Sequence, residues 1–254
     1  MKLIIKLICF ITLLLLNKSI VESKYYGVQH LESYYNIIEI GTKNSIFKLD
    51  YSHYGDILGN NFKSFEKVVS GNFVDGYFQI DKVFRQLVHP GRQFDYSIDD
   101  KFYTIRENTS IIEQLNFELN NKVMTNVDQT YSDEVPNFHS SWLLKKVSDG
   151  EAVFTTINNL ITASQGIVEA DYIWISTPDP VGCPPIKDKC AFPFILTPTY
   201  TRDDNRCIKF TGCVRILKNP LCIFDLTSCP AFYKKVSFAS SPDACIKIYC
   251  DPNF

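Results

Sequence analysis

The groups in this 254-residue chain that could do chemistry are nine cysteines, four histidines and several adjacent acids. Eight of the cysteines fall into two copies of one spacing. The first is C-x6-C-x16-C-x5-C through Cys183, Cys190, Cys207 and Cys213; the second is C-x6-C-x15-C-x4-C through Cys222, Cys229, Cys245 and Cys250. Cys207-Ile208-Lys209-Phe210 and Cys245-Ile246-Lys247-Ile248 match in character as well, which marks an internal duplication. Structural zinc needs cysteines paired at short intervals, and even the closest pair, Cys245 and Cys250, has four residues between its members. An even number of thiols in an exported chain points to disulfides instead. If each copy pairs within itself, nested loops restrict the unfolded chain more than a short Cys183–Cys190 loop does. The expected bonds are therefore Cys183–Cys213 with Cys190–Cys207, and Cys222–Cys250 with Cys229–Cys245.

The remaining reactive residues form no recognised catalytic pattern. His30, His53, His89 and His139 are scattered without metal-ligand spacing. No G-x-S-x-G elbow occurs, and Ser64-Phe65-Glu66-Lys67 matches S-x-x-K by letter while its apolar neighbours read as a short helix. Asp99-Asp100, Asp133-Glu134 and Asp203-Asp204 are adjacent acids that suit turns better than a catalytic pair, because neighbours on a strand point to opposite faces. The acidic segments lack an EF-hand pattern for calcium. No catalytic, metal or cofactor residue is assigned. Phe192, Phe194, Phe232 and Tyr233, near the cysteines, are candidate ligand-binding rings that could stack on sugar faces; the alternative is that they are the core of a small module. Asn108-Thr109-Ser110 is a glycosylation acceptor at Asn108.

These groups have to be positioned by the rest of the chain. Residues 1–23 carry Lys2 and Lys6 around a short apolar run and read as a secretory signal peptide, whose removal takes Cys9 with it. No further apolar stretch spans a membrane, and the expected location is extracellular. Residues 24–177 contain no cysteine and two of the twelve prolines; residues 178–254 contain the other ten. The first part holds 13 Lys+Arg against 20 Asp+Glu, a balance of −7, and the second 10 against 7, a balance of +3. Neither is basic enough for nucleic acid. The division expected is a cysteine-free domain over 24–177 and a disulfide-rich module of two repeats, 183–213 and 222–250, over 178–254.

Short alternating runs at 35–40, 46–51, 72–79, 94–98, 102–105, 142–147, 152–156 and 167–176 predict strands, with hairpin dipeptides at Asp75-Gly76 and Asp149-Gly150. Ile80, Val83, Phe84, Leu87 and Val88 have helical spacing, as, more weakly, do Phe62, Phe65 and Val69. Ser110 to Glu113 reads equally as a capping box or as the start of a strand. The fold class is a β-dominated α+β N-terminal domain, two-layered and sandwich-like, followed by a small disulfide-rich tandem repeat module.

High use of Ile, Asn, Lys, Tyr and Phe, the signal segment, and the repeats Cys183 to Cys213 and Cys222 to Cys250 together resemble secreted cysteine-repeat proteins of social amoebae, among them families without an assigned function. The repeats of coat and matrix proteins in those organisms are shorter and denser in cysteine. The resemblance implies no site residues. The reading is a secreted, non-catalytic protein that binds a glycan or another protein, with no nucleic-acid partner. The alternatives are a secreted hydrolase whose catalytic groups lie in 24–177, and a structural matrix component.

Overall fold

The computed structural model of the protein describes residues 23–42, 46–59, 62–97, 100–106, 109–116, 122–123, 126–156, 167–177, 183–186, 190, 196–215, 222, 227–241 and 244–253. It is β-dominated. Among the described residues eleven strands precede residue 178: β1 (Lys24–Leu31), β2 (Tyr34–Glu39), β3 (Ile46–Asp50), β4 (Lys67–Val74), β5 (Tyr77–Gln86), β6 (Phe102–Ile105), β7 (Ile111–Gln114), β8 (Lys122–Val123), β9 (Asn126–Gln129), β10 (Ala152–Thr156) and β11 (Ile167–Thr177). They are hydrogen-bonded into one sheet, ordered β3-β2-β1-β4-β5-β11-β10-β6-β7-β8, with β9 alongside β11. The β9 pairing is parallel and covers Ile167 to Ala170. Among the described residues three helices join them: α1 (Tyr51–Leu58), α2 (Tyr131–Glu134) and α3 (Ser140–Ser148). The Asp50 side chain caps α1 by accepting from the Ser52 amide at 2.9 Å, and Gly59, at φ 68°, closes it.

Three apolar clusters fill the two faces of this sheet. One joins β1, β2, β4 and β5 to Tyr54 and Leu58 of α1. A second, lined by Ile40, Phe65, Val68, Phe84, Phe102, Leu115, Val153 and Trp174, draws on both halves of the sheet. That requires the sheet to curl. Asn116 fastens the curl, since its side chain accepts from the Tyr25 amide (2.9 Å) and donates to the Tyr25 and Ile40 carbonyls (2.8 and 3.0 Å), replacing a missing strand partner. The third cluster lies beneath α2 and α3, around Tyr131, Trp142, Phe154 and Ile173, and includes Tyr233 and Cys250 from the C-terminal part.

Several local expectations are corrected. Ile80 to Gln86 lies in strand β5, not a helix. The pairing of β4 with β5 slips at Gly71↔Ile80 and Ser70↔Lys82, leaving Asp81 as an extra residue. Such a bulge shifts the two-residue period by one, so Ile80 and Val83 share the α1 face while Phe84 turns to the other. An i, i+3 pattern results without a helix. Phe65 is at φ 60° in a turn before β4, which rules out a helix through Phe62 and Val69. Residues 142–147, read as a strand, belong to α3, where Trp142, Leu143, Lys146 and Val147 are the buried positions of one helical face. Asp149-Gly150 therefore links α3 to β10 and not two strands. Ile111 to Gln114 resolves to strand β7, and the described part of 94–98 is irregular.

The C-terminal part forms two antiparallel hairpins, β12 (Leu196–Arg202) with β13 (Ile208–Arg215) and β14 (Tyr233–Ala239) with β15 (Ile246–Pro252). Four disulfides are present: Cys183–Cys207, Cys190–Cys213, Cys222–Cys245 and Cys229–Cys250. Within 183–213 and within 222–250 the first cysteine pairs with the third and the second with the fourth, so the expected nested pairing is wrong. The hairpin register explains the difference. Cys213 lies opposite Pro198 and Cys250 opposite Lys235, near the starts of β12 and β14, where the chain arrives from Cys190 and Cys229. Cys207 and Cys245 lie by the turns, and the first cysteine of each copy reaches across to them. Loops of 21 to 24 residues result, each stabilising by ~3 kcal/mol through chain entropy.

Candidate functional site

The site begins with an irregularity in β11. Its pairing with β10 runs Phe154↔Ile173 and then Thr156↔Ala170, so Asp171 and Tyr172 together face the single residue Thr155. Bulges of this kind re-aim side chains. Val168, Ala170, Ile173 and Ile175 all stay on the cluster under α2 and α3, while Tyr172 and Trp174 turn to the opposite cluster. Asp171 is left out of the alternation. The Thr155 hydroxyl accepts from the Tyr172 amide at 3.3 Å, compensating for the disturbed ladder.

In front of the bulge lies a cavity of about 350 Å³ lined by Asp95, Asp100, Asp171, Phe94, Tyr172 and the two threonines, with Gln93. Phe94 packs edge-on against Tyr172 at 61° (5.1 Å between centroids) and nearly perpendicular to Trp174 at 86° (5.0 Å). The Tyr172 hydroxyl donates to the Gln93 carbonyl at 3.2 Å, fixing the irregular strap from Gln93 to Tyr96. Thr156 is only 4% exposed, and its hydroxyl has no hydrogen-bond partner. A buried polar atom left open beside a cavity is a place for a ligand group.

Beyond the strap lies a second cavity, of about 390 Å³, which shares Gln93, Phe94 and Asp95 and adds Gln29, Lys63, Ser64, Phe65 and Tyr96. Tyr96 stacks on Phe65 at 3.8 Å, and the Trp174 indole N–H donates to the Phe65 carbonyl at 2.8 Å. Ser64 of the S-x-x-K tetrad lines this cavity. Lys67 is directed away to the Leu58 carbonyl and over the Phe62 ring.

A polar network, exposed at Arg92 and buried at His89, adjoins the first cavity through Asp171. Arg92 holds Asp171 through Nη1 (3.1 Å) and Glu134 through Nη2 (2.6 Å). Glu134 also meets Nδ1 of His89, whose side chain has no exposed surface and whose Nε2 lies 2.9 Å from the Thr130 hydroxyl. Burial holds the imidazole below its ordinary value; Arg92 acts in the same direction, and Glu134 and Asp171 oppose it. The network was not legible as a motif, since His89, Asp171 and α2, which Thr130 caps and Glu134 ends, are far apart in the chain.

Of the rings singled out in the sequence, Tyr233 is 8% exposed, and its hydroxyl donates to the Val88 carbonyl at 2.6 Å. It is a core residue, with no ring face offered to a ligand. Phe232 is 64% exposed. Phe192, Phe194, Asn108, Asp99, the signal segment up to residue 22 and the Pro178-Asp179-Pro180 boundary lie outside the described residues. Asp203 is a turn acid: its carboxylate accepts from the amides of Asn205 and Cys207, each at 2.9 Å. Asp133 and Glu134 lie on α2, and Glu134 belongs to the network just described. Among the described residues no three carboxylate, histidine or cysteine side chains close on one point as metal ligands.

These features define a β-rich protein with a disulfide-bonded C-terminal part, of a kind typical of oxidising compartments. The chain is similar to an uncharacterised protein of the social amoeba Dictyostelium discoideum, 26% identical over 189 residues, or 70% of this chain and 62% of that one. It thus spans about three-fifths of the length of that relative. No family model matches the chain, and no solved structure matches it. No helix among the described residues is long and apolar enough to cross a membrane.

Proposed function

We propose that the protein is a secreted, non-catalytic binding protein whose ligand is a glycan, held in the groove formed by the two cavities on either side of the Gln93–Tyr96 strap. The carrying observation is the chemistry of the first cavity: the Phe94 and Tyr172 rings stand beside three carboxylates and the open Thr156 hydroxyl. A saccharide presents the matching combination of apolar ring faces and hydroxyl groups. The duplicated disulfide hairpins serve as an accessory module in this reading.

One arrangement favours the hydrolase alternative: Thr130, His89 and Glu134 line up as a hydroxyl, a base and an orienting acid would. The His89 ring has no exposed surface, however, and the Thr130 hydroxyl also faces Arg92 at 3.4 Å. Both features suit a positioning role for Asp171 better than attack on a substrate.

The test is calorimetric titration of the oxidised full-length chain with neutral oligosaccharides of two to six units. Tyr172→Ala should weaken binding about tenfold by removing a stacking ring. Thr156→Val, which keeps the shape and removes the hydroxyl, should weaken binding while raising the melting temperature, because a buried unpaired polar atom costs stability. A Thr156→Val protein of unchanged affinity would remove the hydroxyl from the site. Oligosaccharides recovered intact after prolonged incubation are expected; released reducing ends would turn the assignment to the hydrolase.

A further inference from the structure

The first cavity carries an excess of negative charge that a neutral sugar does not use. Asp95, Asp100 and Asp171 line it, and no lysine or arginine does. Arg92 pairs with Asp171 from outside the lining, and the Asp100 carboxylate accepts from the Ser97 amide at 2.7 Å. Lys63 lies on the far side of the strap, in the second cavity. The bulge in β11 brings Asp171 here, and the buried Thr156 hydroxyl, open and itself a donor or acceptor, lies in the same wall.

We infer that the glycan carries free amino groups and that the first cavity takes a protonated amino sugar, with the second holding an adjoining unit. This rests on the glycan reading of the groove. An ammonium group on a pyranose ring suits the mixture found: carboxylates pair with the charge, the Phe94 and Tyr172 rings attract it through their faces and pack against the sugar carbons, and the Thr156 hydroxyl accepts a hydrogen bond. Three carboxylates spread around a cavity, rather than closed on one point, suit a cation with a molecular shape more than a metal ion. N-acetylation would remove the charge and leave the carboxylates facing a neutral amide.

The experiment is titration of the oxidised full-length chain, at mildly acidic pH, with three tetrasaccharides of one backbone: β-1,4-linked glucosamine, its fully N-acetylated counterpart, and the glucose tetramer. The glucosamine tetramer should bind at least about fivefold more tightly than either neutral one, and the advantage should shrink as salt is raised toward about 0.5 M. Asp95→Asn, at an exposed position of the lining, should abolish most of that advantage. Asp56→Asn, on exposed α1, should change neither. Equal affinity for all three tetrasaccharides, a salt-independent preference, a preference retained by Asp95→Asn, or binding that requires added calcium would each overturn the amino-sugar inference while leaving the glycan reading intact. Failure of all three to bind would overturn both.

Discussion

His89 shows how one residue couples the site to stability. Its ring is enclosed by Glu134 and Thr130, with Tyr131 at 4.7 Å between ring centroids, and burial holds its proton affinity down. His139, against Tyr249 near Arg202 and Asp251, is lowered too, again chiefly by burial and then by Arg202. An unfolded histidine titrates near about 6.5. Below that pH the unfolded chain takes up protons that the folded chain resists, so stability is full above it and declines as pH falls toward the depressed folded values. The melting temperature should therefore drop between about pH 7 and about pH 5, above the range in which carboxylates titrate. His89→Gln should lower the melting temperature throughout and flatten that slope; an unchanged slope would mean that His89 does not titrate on unfolding.

At the scale of elements, two bulges do most to shape the protein. The one at Asp81 lets β5 serve two clusters, and the one at Asp171 and Tyr172 opens the first cavity. Helical spacing in the sequence was the trace of the former, but a bulge and a helix write the same i, i+3 signature over so short a run. The turn before β4 depends on a glycine across from it. A Cβ at Gly27 would stand 1.8 Å from the Phe65 ring, so the ring packs directly on the β1 backbone. Gly27→Ala should push Phe65 out, disturbing its stack with Tyr96 and its carbonyl contact with Trp174. Overpacking of this kind costs about 1–3 kcal/mol. Denaturant unfolding should show that loss, together with weaker oligosaccharide binding through the second cavity. Unchanged stability would mean that the turn relaxes freely.

For the whole molecule, the question is how far the cysteine-free part depends on the hairpins. Two of the three apolar clusters contain no residue from the C-terminal part, and the third takes Tyr233 and Cys250 from it. Further ties are the Arg206 guanidinium over Trp142 at 4.3 Å and the Tyr233 hydroxyl on Val88. The hairpins are joined to each other by the buried Arg202–Asp251 pair and by the Tyr200 amide on the Ser240 carbonyl at 2.8 Å. A chain ending at Thr177 should fold, as its own clusters are largely complete, but melt at a lower temperature because the surface under Tyr233 is uncovered. Circular dichroism decides it: an unfolded spectrum would make the two parts one cooperative unit.

What the sequence by itself determined is what depends on neighbours along the chain. Alternation identified β2, β3, β6, β10 and β11, the Asp75-Gly76 turn and the β-dominated class, and the cysteine spacing confined the disulfides to within 183–213 and within 222–250. The order of pairing within a copy was decided by hairpin register, which places Cys213 opposite Pro198 and Cys250 opposite Lys235. The site was likewise decided by tertiary structure. Asp95, Thr156 and Asp171 carry no local signature, and only the curled sheet and its bulge set them around one cavity. Tyr233 and Phe232 illustrate the same limit: adjacent and similar in sequence, one is core and the other exposed, because burial depends on which element packs above and not on residue type.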